Sequence, residues 1–163
     1  MSDERIGELI VCLGNICRSP LAEALFRKAV SDAGLDGRFR IDSAGTSGYH
    51  DGEPPDARTT ETARRRGVAV TGTSRRITPG DLEAFHYVVV MDAENLAEVR
   101  RLAHGRGVAA EIVRLREHDG DAGGDLDVPD PYFGGPDGFE AVHDLVERSA
   151  RGLLDRIREE RGL

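Results

Sequence analysis

The chain has 163 residues, 39% apolar and 32% charged, with a formal charge of −8. That length suits a single compact domain over residues 1–163, which buries about 68–70% of its unfolded surface and needs no disulfide or metal staple. The acidic balance argues against nonspecific binding to nucleic acid or to an anionic membrane. Two cysteines, Cys12 and Cys17, do not make a secreted disulfide framework. No signal-peptide core opens the sequence, and no apolar run reaches the roughly 18 residues of a membrane span. A reducing cytoplasm is therefore the expected compartment. Lys28 is the only lysine, a composition bias of the kind bacterial genomes carry.

Leu9-Ile10-Val11-Cys12 reads as a buried strand, followed at once by a glycine-containing turn. Ser19-Pro20 then opens a helix, with Ser19 as N-cap and Pro20 at the first helical position, and Gly34 ends it. Phe39 to Ser43 is a second strand, ending at Ala44-Gly45. Thr59 to Arg66 reads as a helix stopped by Gly67. His86 to Met91 is a third strand. Ala93 to Ala103 is a helix for which Asp92 is the expected cap, a role favoured over any part in chemistry. Ile112 to Leu115 is a fourth strand. Asp137 and Glu140 resemble a capping box ahead of a long amphipathic helix through Phe139, Val142, Val146, Leu153 and Ile157. Strands alternating with helices predict an α/β fold: one three-layer α/β/α domain with a short parallel sheet of about four strands.

The charge is unevenly placed. Glu117 to Glu140 carries eight acids and no Lys or Arg, which is as large as the whole net charge. Arg58, Arg64, Arg65, Arg66, Arg75 and Arg76 crowd another region, either as a solvated helix face or as a dock for an acidic phosphoprotein.

The loop after the first strand carries the chemistry. Residues 12–19, Cys-Leu-Gly-Asn-Ile-Cys-Arg-Ser, have the pattern Cys-x5-Arg-Ser between a strand and a helix N-terminus. Converging backbone N–H groups and the helix dipole stabilise an anion there, whether a phosphate or the thiolate of Cys12. Arg18 can grip two phosphate oxygens with its planar fork. A zinc site is disfavoured, because no histidine pairs at a finger-like spacing with the two cysteines.

Residues 12–20 resemble the signature of the low-molecular-weight protein tyrosine phosphatases. So do Asp42-Ser43-Ala44-Gly45-Thr46, Met91-Asp92 and Asp130-Pro131-Tyr132-Phe133, in order along the chain. The resemblance implies a metal-free and cofactor-free hydrolase of phosphotyrosine proteins. Cys12 would be the nucleophile, Arg18 the phosphate clamp and Asp130 the general acid and base. The loop from Leu13 through Gly14, Asn15, Ile16, Cys17 and Arg18 to Ser19 would hold the phosphate. Asn15, Ser19 and Ser43 would support the loop, while Leu13, Tyr49, Tyr132 and Phe133 would wall the substrate cleft. Cys17 would be a redox partner, able to form a reversible disulfide with Cys12. Tyr132 resembles a tyrosine that is phosphorylated in some relatives.

The resemblance further implies a monomer acting on a phosphotyrosine protein, such as a bacterial tyrosine kinase or its substrate. Asp125 and Asp127 are close enough in sequence to Asp130 to disfavour its ionisation. Many eukaryotic members carry a histidine near position 72, bonded to acids matching Glu23 and Asp42. Gly72 stands here, so that network is absent or rebuilt.

Three other readings remain at this point. A protein-arginine phosphatase shares the scaffold, but such relatives favour threonine where this chain has Ile16. A thioredoxin-coupled arsenate reductase needs further cysteines, and none follows Cys17. A noncatalytic phosphate-binding module would have lost Cys12, Arg18 or Asp130.

Overall fold

The computed structural model describes residues 4–132 and 134–163. Its centre is β1, Ile6–Cys12, in which all seven residues are buried. Around it lie β2 (Phe39–Gly45), β3 (Tyr87–Val90) and β4 (Glu111–Arg114), all parallel, in the order β2-β1-β3-β4. The helices are α1 (Arg18–Asp32), α2 (Ala57–Arg65), the single turn α3 (Asp81–Ala84), α4 (Ala93–Ala103) and α5 (Pro136–Arg161).

The pleat of β1 divides the core in two. Ile6, Ile10 and Cys12 face one side, where Leu21, Leu25 and Phe26 of α1 and Val146, Leu153 and Ile157 of α5 cover them. Leu9 and Val11 face the other, against Leu82 of α3 and Val99 of α4. The three-layer α/β/α expectation with a four-stranded parallel sheet holds. Because all strands run the same way, the segments after β1, β2 and β3 meet at one end of the sheet, where such folds bind ligands.

Three helix starts differ from their sequence reading. Helix α1 begins at Arg18 with Cys17 in the capping position and no side-chain cap. Ser19 lies inside the helix, and its Oγ sits 3.1 Å from Cys12 Sγ. The free N–H groups of this terminus are turned toward the loop rather than toward a capping hydroxyl. Helix α5 likewise has Gly135 at its N-cap and Pro at the first position, with no capping box. Glu140 instead approaches Arg65 and Arg66, 3.3 Å from each. Asp56, not foreseen, caps α2 by accepting from the N–H of Arg58 and Thr59, so this helix starts two residues before Thr59. Asp92 caps α4 as expected.

Glu8 is the anomaly of the core. It lies on the central strand at 0% exposure, and neither carboxyl oxygen has a hydrogen-bond partner among the described residues. Burial pushes its carboxyl well above the ordinary range, so the folded protein holds a proton that the unfolded chain releases above about pH 4.3. Stability therefore falls as pH rises past that value. Glu8→Met should raise the urea midpoint, and by clearly more at pH 8 than at pH 5. An equal gain at both would sink this account.

Gly152 marks where α5 crosses the single-turn helix Leu115–His118. A Cβ there would lie 2.0 Å from the carbonyl oxygen of His118. Gly152→Ala should cost about 3 kcal/mol or more, read as a lowered Tm, since both contacting groups are backbone.

Candidate active site

Cys12 ends β1, and the chain then turns through residues 13–17 into α1. Four carbonyls of this stretch are tied from outside. Cys12 O accepts from Thr46 N (2.9 Å), Leu13 O from Ser47 N (3.0 Å) and Ile16 O from Asp56 N (2.7 Å). Gly14 O accepts from Ser74 Oγ at 3.0 Å. With carbonyls turned outward, N–H groups face inward, and those of Asn15 and Ser19 lie 3.3 and 3.4 Å from Cys12 Sγ.

Asn15 has φ +55°, the left-handed region that disfavours a side chain, and it is the one non-glycine there among the described residues. Its buried amide compensates by three bonds. Nδ2 donates to Ser19 Oγ (2.8 Å) and Ser43 Oγ (3.0 Å), while Oδ1 accepts from Arg75 N (3.0 Å).

Arg18 is 3% exposed. Nη1 donates to Asp92 Oδ2 at 2.6 Å and to Val128 O at 3.0 Å, and Nη2 lies 3.5 Å from Asp130 Oδ2. Burial opposes its charge, but Cys12, Asp92 and Asp130 outweigh that and hold the guanidinium protonated. Asp130 also accepts from Tyr132 N at 3.0 Å.

Above the loop opens a cleft of about 480 Å³, lined by Leu13, Ile16, Tyr49, His50, Asp130 and Tyr132 together with the loop itself. Leu13 and Tyr49 are 48% and 86% exposed at its mouth. Phe133 lies outside the described residues. Ser43 sits behind the loop rather than in the cleft, bonded to Asn15. Cys17 is buried beside Ile16 and Phe139, and its thiol is pushed up to about 12, first by burial and then by Asp56. No group of three His, Cys, Asp or Glu side chains able to hold a metal occurs among the described residues.

The acidic segment is knotted to arginines. Asp119 is buried and bonded to Arg116 and Arg148. Asp125 pairs with Arg116 at 3.3 Å, and Asp127 accepts from Ala93 N with Arg114 3.8 Å away. Asp125 and Asp127 are thus engaged elsewhere, and the ion-pair partner of Asp130 among the described residues is Arg18. The arginine cluster is engaged too. Arg58 pairs with Asp56, Arg64 with Glu61, Arg66 with Glu140 and Asp144, and Arg75 with Asp42 and Asp81. It therefore presents no free basic face at those four positions. At Gly72, the acids that a histidine would join are held by arginines: Glu23 by Arg27 and Asp42 by Arg75.

The family model for low molecular weight phosphotyrosine protein phosphatases matches residues 8–163. The chain belongs to this family. It is 47% identical over 151 residues to a low molecular weight protein-tyrosine-phosphatase of Streptomyces coelicolor, covering 92% of each chain. Among solved structures it resembles a protein tyrosine phosphatase of Entamoeba histolytica, with TM-score 0.89, 35% identity and coverage of 96% and 98%. It also resembles DARP, a Drosophila arginine phosphatase, with TM-score 0.87, 30% identity and coverage of 93% and 97%.

Sequence reasoning about this phosphatase chain missed the part played by four residues. His50 packs against the cleft with Nδ1 2.7 Å from Glu53 and its ring edge-on to Tyr49, a placement that no spacing signals. Ser74 and Arg75 reach the loop from 60 residues away in sequence. Asp92 was read as a cap alone, yet one oxygen caps α4 through Asn95 N (2.7 Å) while the other holds Arg18. Asp92→Ser separates the two duties, because serine caps a helix about as well as aspartate. The variant should lose less Tm than Asp92→Ala, which gives up the cap as well as the Arg18 bond, while phosphatase turnover falls roughly tenfold, as expected for loss of one charged hydrogen bond.

Proposed function

We propose that this chain hydrolyses phosphotyrosine in proteins through a cysteinyl-phosphate intermediate, with Cys12 as nucleophile, Arg18 as phosphate clamp and Asp130 as general acid and base. One observation carries this reading: Cys12 Sγ lies at the floor of the cleft with two backbone N–H groups and a serine hydroxyl directed at it, and Arg18 joins that floor to Asp130. Such groups would stabilise the equatorial oxygens of a phosphoryl group in transfer.

Cys12 attacks phosphorus in line while Asp130 protonates the leaving phenol, whose pKa near 10 makes unprotonated departure slow at neutral pH. A water deprotonated by Asp130 then attacks the cysteinyl phosphate, and thiolate and phosphate are released. Ser19 eases that departure by hydrogen-bonding the sulfur. Asp92 and the carbonyl of Val128 hold Arg18 at fixed reach, so the clamp costs little ordering when substrate arrives. Tyr49, Tyr132 and Leu13 line the cleft and would flank a phenyl ring, which suits an aryl phosphate. Buried Ile16, with its apolar bulk beside Cys17 and Phe139, favours phosphotyrosine over phosphoarginine.

A phosphotyrosine protein, such as a bacterial tyrosine kinase or its substrate, is the partner class we propose for a cytoplasmic monomer. The buried, high-lying Cys17 thiol would attack an oxidised Cys12 slowly, so disulfide protection is the weakest of the expected features.

Cys12→Ser should abolish turnover of p-nitrophenyl phosphate, and retained activity would overturn the mechanism. Phosphotyrosine and phosphoarginine peptides assayed side by side should show at least about a hundredfold preference for phosphotyrosine in kcat/KM, equivalent to roughly 2.7 kcal/mol. The reverse preference would assign the chain to arginine phosphatases.

A further inference from the structure

The segment from Ser74 to Ile77 runs beside the end of β2, where Gly45 bridges Arg76. It gives the phosphate loop two donors, the Ser74 hydroxyl to Gly14 O and the Arg75 N–H to Asn15 Oδ1. The second donor fixes a direction. A backbone N–H can only donate, so the oxygen of the Asn15 amide must face Arg75. The amide nitrogen then faces Ser19 and Ser43 and donates to both hydroxyls. A Ser19 oxygen that accepts from Asn15 keeps its own proton free for Cys12 Sγ, 3.1 Å away. With the amide reversed, Ser19 would donate to Asn15 and its proton would point away from the sulfur.

Arg75 is held at this height twice, by its backbone, whose carbonyl accepts from Gly45 N at 2.8 Å, and by its side chain. Nη2 lies 3.1 Å from Asp42 Oδ2 and 3.1 Å from Asp81 Oδ1, and Nη1 lies 3.0 Å from Asp81 Oδ2. Asp42 belongs to β2 and directly precedes Ser43, while Asp81 opens α3 and also accepts from Thr78 N. Backbone bonds tie the segment to Gly45 at the end of β2 and to Gly52 and Glu53 in the loop beyond it, and the guanidinium adds ties to Asp42 of β2 and Asp81 of α3.

Taking from the proposed function only that Cys12 is the nucleophile, we propose that Arg75 is a positioning residue. Clamped between Asp42 and Asp81, it sets the direction of a relay from its own N–H through Asn15 and Ser19, and so keeps a hydrogen bond donated to the Cys12 sulfur. The fixed donor is at the far end of the relay, and the sulfur receives its effect three groups later.

The test uses Arg75→Met, which keeps the aliphatic stem and removes both ion pairs, and Asp42→Asn, at a side chain 48% exposed. Alkylation of Cys12 by iodoacetate, followed by mass spectrometry across pH, reads the thiolate directly and needs no substrate. Arg18, whose charge acts on Cys12, and the neighbouring Cys17 are untouched in these variants. In Arg75→Met the profile should move upward by about one pH unit, with kcat for p-nitrophenyl phosphate lowered roughly tenfold and KM changed less than about threefold. Asp42→Asn should move it less and in the same direction, and Arg75→Lys should recover part of the loss. Profiles that superimpose on the parent protein's in both variants overturn the proposal, since the backbone bonds alone would then hold the relay. Should Arg75→Met show no cooperative urea transition, Asp42→Asn decides. Failure of the phosphatase reading is a separate outcome, visible as absent turnover by the unmodified protein.

Discussion

A loop that binds an anion with its own backbone must turn its N–H groups toward one point. Its carbonyls then face away, and a buried carbonyl without a donor is costly. In this chain the donors come from Thr46, Ser47, Asp56 and Ser74, none of them in the loop or in the strand and helix that flank it. The segments after β2 and before α2 and α3 are therefore part of the anion site even though they need not touch the anion. The positive φ of Asn15 belongs to the same requirement, since it reverses the peptide direction where the loop would otherwise close as a turn.

The same logic continues outward through Arg18. Its three acceptors lie on the segments that follow β3 and β4, with Val128 itself hydrogen-bonded from its N–H to Met91 O at 2.7 Å. Cys12 at the end of β1, Arg18 at the start of α1, Asp92 after β3 and Asp130 in the chain beyond β4 thus meet at the same end of the parallel sheet. This is the arrangement in which a rigid sheet positions chemistry that sits on irregular chain.

Much of this was legible because the signals were local. Apolar runs located β1 and β3, and alternation of strands with helices gave the layered sheet. The Cys-x5-Arg loop placed Cys12 and Arg18 at a helix start. Misread positions shared one cause, a polar side chain whose partner lies outside its own helical turn or neighbouring residues and is supplied only by the fold. Ser19 looks like a cap because serine before proline usually is one, yet its hydroxyl faces a sulfur seven residues back. Asp92 has a local duty and a remote one, and only the local one has a sequence signature. Asp125 and Asp127 seemed to bear on Asp130 by proximity in sequence, but Arg114 and Arg116, arriving on and after β4, take their charge. Glu8 left no trace at all, since nothing in the sequence says that a strand acid will be sealed in.

Asp119 sits fully buried between Arg116 and Arg148, and Asp127 is fastened to the first N–H of α4. Between these two anchors Gly120, Gly123 and Gly124 are exposed. Lengthening such a tip costs only about 0.6 kcal/mol per doubling, because its ends are already held together. Loop length there is uncoupled from the position of Val128 and Asp130. The molecule thus contains a splice point, next to the candidate site in sequence but mechanically isolated from it, where a foreign segment could be carried without loosening Asp130.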